Sequence, residues 1–166
     1  MIRSSIDLGT NTCLLLIADW DPSRKEVVRI VEDHSTIVRL GQGVDQTRSL
    51  AGEAMERTLA CLRIYLERVR ASGLNPATTI AVATATARDA GNGAAFFARV
   101  ENETGFRFRI LTGDEEAQST FLGGLLPGMD PSLSAVLDIG GGSTELMSTR
   151  GGLSVDMGSV RFTERF

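Results

Sequence analysis

One histidine, His34, and two cysteines in 166 residues leave little room for several common chemistries. A single imidazole excludes a multi-histidine metal site, and His34 itself reads as a surface strand residue with no assigned role. Cys13 and Cys61 lie in apolar contexts without Cys-x-x-Cys spacing. They read as reduced core residues, neither a disulfide framework nor a zinc site. Basic residues are in deficit: Lys plus Arg number 17 against 21 Asp plus Glu, a net charge of −4. That balance does not suit nucleic-acid phosphates, which require clustered cations, so no nucleic-acid partner is expected. No apolar run approaches the roughly 20 residues of a membrane span, so no membrane partner is expected either. The opening MIRSSIDLGTN lacks the apolar core of a secretory signal, and a cytoplasmic protein is the expectation. A single phosphate ligand remains open, because backbone N–H groups and one or two arginines can hold it.

What is present is a globular composition, 42% hydrophobic, over a length of one domain or slightly more. Glycine is abundant, at 18 residues. The glycines gather at 41–43, 123–128, 140–142 and 151–152, where they punctuate strand patterns.

The first stretch reads as a hairpin. Ser4 to Asp7 leads into the turn Gly9-Thr10-Asn11-Thr12, and Cys13 to Trp20 is an apolar strand. Turn residues Asp21-Pro22-Ser23 lead to a third strand, about Val27 to Leu40. A loop at 41–45 precedes a long helix over about Ala51 to Ser72. Its Met55, Leu59, Leu62, Leu66 and Val69 share one helical face. Gly73 suits the position after the helix and Pro76 the stop beyond it. Then follow a buried strand at Thr79 to Ala83, a helix at Ala94 to Thr104, a strand at Arg107 to Leu111, and a helix at Asp114 to Leu126. The acids Asp114, Glu115 and Glu116 in that helix's first turn suit its dipole. The order βββαβαβα predicts an α/β fold, a mixed sheet flanked by helices.

The pattern then restarts. Strands at Ser134 to Asp138, Thr144 to Ser148 and Leu153 to Met157 repeat the opening βββ. Asp7-Leu8-Gly9-Thr10-Asn11-Thr12 aligns without gaps on Asp138-Ile139-Gly140-Gly141-Gly142-Ser143. The expectation is a first domain at 1–127 and the opening strands of a second, similar one at 128–166. With no helices to cover those strands, the sequence is expected to be the front part of a longer protein. Bare strands could also pair between chains as a swapped homodimer.

A strand ending in Asp and turning through glycines gathers a carboxylate and several N–H groups at one spot. The amides can cradle phosphate oxygens, and glycine admits the ligand closely. The carboxylate would repel phosphate, which implies a divalent cation between them; Mg²⁺ fits, being held by one or two carboxylates plus phosphates and waters. Either turn alone is an ordinary hairpin. The pair, with the same Asp-x-Gly lead, points to a clamp.

These residues carry a resemblance. DLGTNT at 7–12 and DIGGGST at 138–144 resemble the two phosphate loops of the actin, sugar-kinase and heat-shock ATPase superfamily, whose domains have a ribonuclease H-like fold. Within it, Leu111-Thr112-Gly113-Asp114-Glu115-Glu116-Ala117 followed by DIGGGSTEL resembles the Ppx/GppA family of exopolyphosphatases and guanosine pentaphosphate phosphohydrolases. Arg39-Leu40-Gly41-Gln42-Gly43-Val44 and Ala83-Thr84-Ala85-Thr86-Ala87-Arg88 fit as well.

The resemblance implies a Mg²⁺-dependent hydrolase that releases terminal phosphate from polyphosphate or a guanosine polyphosphate. It puts water activation on Glu116, which by its position alone is a helix-capping acid. It favours Arg88 for phosphate charge stabilisation, where the residue alone reads as a solvated arginine at a helix start; Arg39 is a weaker candidate. Asp138 and Glu145, across the second turn, are the expected metal ligands. Asp7 either joins them or braces its own turn. Gly9, Thr10, Asn11 and Thr12, with Gly140, Gly141, Gly142 and Ser143, are expected to contact phosphate. Two other readings stand beside this one: an ATPase or sugar-kinase-type phosphotransferase, and a non-catalytic phosphate- or nucleotide-sensing fragment.

Overall fold

The computed structural model describes residues 1–126 and 128–165. Three antiparallel strands open the chain: β1 (Ile2–Leu8), β2 (Thr12–Asp21) and β3 (Glu26–Ile37). A short helix α1 (Val44–Thr47) and the long α2 (Gly52–Ala71) follow. Next come β4 (Ile80–Ala83), α3 (Ala85–Asp89), α4 (Gly93–Thr104), β5 (Phe108–Ile110) and α5 (Gly113–Gly124). The five strands form one sheet in the order β3-β2-β1-β4-β5, with β4 parallel to β1 and β5 parallel to β4. This is the mixed, helix-flanked sheet of an actin-like ATPase domain.

The second meander, β6 (Ala135–Ile139), β7 (Thr144–Ser148) and β8 (Gly151–Val155), forms its own antiparallel sheet. It is followed by a helix, α6 (Ser159–Arg165).

The core of the first lobe lies between the sheet and α2. Strand alternation buries Ile6 and Leu8 of β1 with Leu15 and Ile17 of β2, and the helical period buries Leu59, Leu62, Leu66 and Val69 against them. Tyr65 is buried in the same face; its hydroxyl donates to the Cys13 carbonyl at 2.9 Å and lies 2.9 Å from the Thr36 hydroxyl. Cys13 and Cys61 are free, buried thiols.

The end of α2 follows from its sequence. Gly73 takes φ +73°, its amide donates to the Arg70 carbonyl and that of Leu74 to Val69, which closes the last turn. Among the described residues no helix is long and apolar enough to cross a membrane.

Several expectations are corrected. The loop expected at 41–45 ends in α1, and the stretch after the strand at Thr79 to Ala83, given no element of its own, contains the short helix α3. The third strand stops at Ile37 because Val38 and Arg39 turn their amides to the Asn11 carbonyl instead of extending the ladder. The second meander is not bare of helices. α5 crosses one face of its sheet, where Gly124 sits close on Val136, and α6 follows β8. Its other face is open, with Leu137, Ile139, Leu146 and Leu153 exposed. The expected boundary at 127/128 and the chain end at 166 fall on Pro127 and Phe166, outside the described residues. His34 is half-buried on β3, 2.7 Å from Glu32 Oε2 and beside the Tyr65 ring.

Leu62 is fully buried between α2 and the sheet. Leu62→Ala should cost about 2–5 kcal/mol through lost transfer energy and a residual cavity. In urea unfolding this lowers the midpoint at constant slope; a loss below about 1 kcal/mol would show that the site collapses or contributes little.

Candidate active site

The two glycine turns share one geometry. In the first, the Gly9 amide donates to the Thr12 carbonyl at 2.9 Å; in the second, the Gly140 amide donates to Ser143 at 2.9 Å. Asp7 pairs across its hairpin with Leu14, and Asp138 occupies the equivalent rung opposite Glu145.

Each turn is backed by the segment that follows its meander. The Thr10 carbonyl accepts from Gly41, and the Asn11 carbonyl from Val38 and Arg39. In the second turn, Gly140 O accepts from Ser159, and Gly141 O from Val160 and Arg161. In a trans peptide the N–H points opposite to its C=O. Turning these carbonyls back therefore aims the amides of Asn11, Gly141 and Gly142 away from the backing segments. Among the described residues, none of those three amides has a hydrogen-bond partner. Such concave amides are anion cradles.

The turns touch through Thr10. A Cβ at Gly142 would lie 2.8 Å from Thr10 Oγ1, so glycine is required for this approach. Thr10 Oγ1 also accepts from the Thr86 hydroxyl at 2.8 Å. Beside this contact opens a cleft of about 610 Å³, lined by Asp7, both turns, Asp138 and Glu116.

α5 brings Glu116 to the cleft. Its start is fixed by a capping box: Thr112 Oγ1 accepts from the Glu115 amide, and the Glu115 carboxylate accepts from the Thr112 amide. Glu115 also pairs with Arg109. Glu115 therefore stabilises the helix end, while Glu116, one position on, faces the cleft. Arg88 Nη1, from the last turn of α3, donates to Glu116 Oε2 at 3.0 Å and to the Leu111 carbonyl at 2.6 Å. Arg88 thus contacts Glu116 directly but does not line the cleft.

Burial raises the Glu116 pKa above its ordinary value; Arg88 pulls it down, while Glu145 and Asp7 add to the rise. Asp7 lines the cleft and is exposed to it. Its carboxyl is nonetheless pushed up, first by desolvation from the surrounding walls and then by Asp138.

Glu145 faces α5 from the rung opposite Asp138. It is 2% exposed and accepts from Ser154 Oγ at 2.8 Å, so it sits behind the cleft lining, not in it. Arg39 is exposed with φ +50° and lines a separate groove with Asn11 and Gln42.

Sequence reasoning did not reach Ser119, Thr120 and Ser154. Thr120 lines the cleft and its hydroxyl reaches Asp138 Oδ2 at 3.4 Å. Its spacing of four from Glu116, one helical turn, was an available signal.

Among the described residues no three His, Cys, Asp or Glu side chains are grouped closely enough to hold a metal ion by themselves. The acids do bear on one another, since Asp138 acts on Asp7, and Asp7 and Glu145 on Glu116. That arrangement fits Mg²⁺, which takes one or two carboxylates and completes its shell with phosphate and water.

The model of the Ppx/GppA phosphatase family matches residues 17–166. The chain belongs to this family. It is 36% identical, over 99% of its length, to a bifunctional 3-dehydroquinate synthase/phosphatase from Fusobacterium nucleatum, of which it covers 26%. An exopolyphosphatase from Cytophaga hutchinsonii superposes on the whole chain with a TM-score of 0.87 at 27% identity. The Aquifex aeolicus Ppx/GppA family member does so with a TM-score of 0.79 at 28% identity. The chain spans 54% of each of these two solved relatives. Membership of a phosphatase family weighs against the kinase-type reading.

A raised pKa at Asp7 makes the folded state hold its proton more tightly than the unfolded chain. Stability contributed by this group is therefore full below the unfolded value of 3.8 and lost as pH rises through the folded value. Asp7→Asn should raise the melting temperature at pH 7, with the gain shrinking towards pH 4. Equal gains in melts at both pH values would show that the carboxylate charge is not the cause.

Proposed function

We propose that the protein hydrolyses the terminal phosphoanhydride of a phosphate chain, inorganic polyphosphate or guanosine pentaphosphate, with Glu116 activating the attacking water. The observation that carries this reading is the convergence of two turns with unpartnered amides and one cleft-facing, desolvated carboxylate. The description of the Cytophaga relative as an exopolyphosphatase supports polyphosphate as the substrate class.

In this reading the amides of Asn11, Gly141 and Gly142, with the hydroxyls of Thr10, Thr12 and Ser143, hold the phosphate oxygens from two sides; Gly9 and Gly140, expected as phosphate contacts, instead spend their amides on closing the turns. Glu116 takes the proton of a water aimed at the terminal phosphorus; a raised pKa brings a carboxylate closer to the range where a general base is effective. Arg88 orients Glu116 and keeps positive charge next to the transferring group. Asp138 and Asp7, which line the cleft, would hold Mg²⁺ directly or through water, while Glu145, buried behind Asp138, would add negative charge to the site without touching the ion. The ion would offset the repulsion between the carboxylates and the incoming phosphate. A cytoplasmic setting agrees with the two free thiols.

Glu116→Gln keeps the side chain's size and removes the base. Orthophosphate release from polyphosphate with Mg²⁺, followed by ³¹P NMR, should fall by about 10²–10⁴-fold, with chain-end broadening from binding retained. Unchanged release would remove Glu116 from the mechanism. Absence of release by the wild-type chain, with broadening intact, would show that these 166 residues bind phosphate but do not hydrolyse it by themselves.

A further inference from the structure

On the side of the two turns away from Glu116 lies a second cluster of charge that hydrolysis does not use. α6 begins directly behind the second turn. Its first three amides are the donors that hold that turn: Ser159 to Gly140 O at 2.9 Å, Val160 to Gly141 O at 2.9 Å and Arg161 to Gly141 O at 3.1 Å. The approach is so close that a Cβ at Gly158 would fall 2.3 Å from the Gly141 carbonyl and 2.4 Å from the Gly142 nitrogen.

The same helical turn grips the other lobe through side chains. Arg161 is only 10% exposed. Its Nη1 donates to Asp45 Oδ1 at 3.0 Å and its Nη2 to Asp89 Oδ2 at 3.0 Å. Asp45 belongs to α1 and Asp89 ends α3, both in the first lobe. One turn further on, Arg165 pairs with Asp45 at 2.7 Å, and the Glu164 carboxylate accepts from the Gly43 amide at 3.0 Å. Asp156, 81% exposed and 3.9 Å away, is a marginal third partner of Arg161. One short helix is thus bonded by its backbone to the second turn and by its guanidinium to the lobe that carries the first.

We propose that Arg161 is a positioning residue: by bridging Asp45 and Asp89 it anchors α6, and through α6 it sets the second turn at its distance from the first. The inference that this spacing matters for phosphate rests on the function proposed above. The anchor itself does not.

Arg161 suits the task because its planar fork reaches two carboxylates at once, which an ammonium cannot do with fixed geometry. Asp45 keeps Arg165 if Arg161 is lost, whereas Asp89 has no other ion-pair partner among the described residues. The Asp89 arm is therefore the one that depends on Arg161 alone. Without the anchor, a fraction of molecules would hold the turns apart, and apparent affinity for a ligand bridging both falls by that fraction.

The test is hydrogen exchange on Arg161→Gln, with Asp89→Asn as a milder second variant. The amides of Gly140, Ser159, Val160 and Arg161 should exchange about tenfold faster in either variant, while α2 amides are unchanged. The double variant should add little, because both changes break one bridge. Arg161→Lys should fall between. Tripolyphosphate titrated without turnover should bind about tenfold more weakly to Arg161→Gln, with Glu116→Gln as a control that leaves the four amides at wild-type rates. Wild-type exchange at those amides in both folded variants would overturn the anchor. Faster exchange with no tripolyphosphate binding by the wild-type protein would leave the anchor standing and refute the phosphate reading.

Discussion

Two turns meet at Thr10, and the cleft exists because neither can turn its amides anywhere else. Each has its carbonyls bonded backwards, the first to residues 38–41 and the second to residues 159–161. Peptide planarity then dictates where the N–H groups go. The glycines follow from contact, not from flexibility. At Gly142 the neighbouring Thr10 hydroxyl leaves no space for a Cβ, and at Gly158 the Gly141 backbone leaves none. The internal repeat is thus a repeat of hydrogen bonding: hairpin, turn, and a backing segment that fixes the turn's direction. The two lobes differ in the backing itself, the segment after β3 in the first and the opening turn of α6 in the second.

The electrostatics of the cleft run against stability. Asp138 and Glu145 face each other on adjacent strands, a pairing that ordinarily destabilises a sheet. Hydroxyls of Thr120 and Ser154 serve these two acids, yet hydroxyls carry no neutralising charge. Asp7 and Glu116 are both pushed towards their protonated forms, and among the described residues Arg88 is the one cation bonded to any of the four. Elsewhere the charges pair ordinarily: Arg99 with Glu56 and Glu103, Arg107 with Glu101, Arg109 with Glu115. Acids gathered with so little neutralising charge beside a cleft are what a functional site leaves behind, rather than poor packing.

Much of this was legible in the residues. The period of α2, the Gly73 stop, the strand meander and the Asp-x-Gly repeat all rest on short-range patterns, and the structure reproduces them within a few residues. What stayed hidden depends on long-range contact. α3 is five residues of Ala, Thr, Arg and Asp, too short for periodicity to announce a helix. α6 carries no strong apolar stripe, because what ties it to the first lobe is hydrogen bonds and ion pairs to residues more than 70 positions away. The expectation set Asp138 and Glu145 across one turn as paired metal ligands; the two do share a rung of the hairpin, but only Asp138 lines the cleft. The burial of Glu145 under α5 was not legible, since no local signal announces which face of a short strand a distant helix will cover.

α5 explains why neighbouring acids have different jobs. Its first turn is set by the first lobe: β5 delivers the chain, Thr112 caps it, and Glu115 closes the box and pairs with Arg109 on β5. Its later turns are set by the second lobe, where Gly124 meets Val136 and Thr120 meets Asp138. A helix rotates by about 100° per residue, so once Glu115 is committed to the cap, Glu116 must leave on a different side. Because the helix then lies against β6 to β8, that side opens onto the seam between the two turns. Glu116 holds its place through both lobes together, and a change in their spacing would move the carboxylate and the phosphate cradle relative to each other in one step.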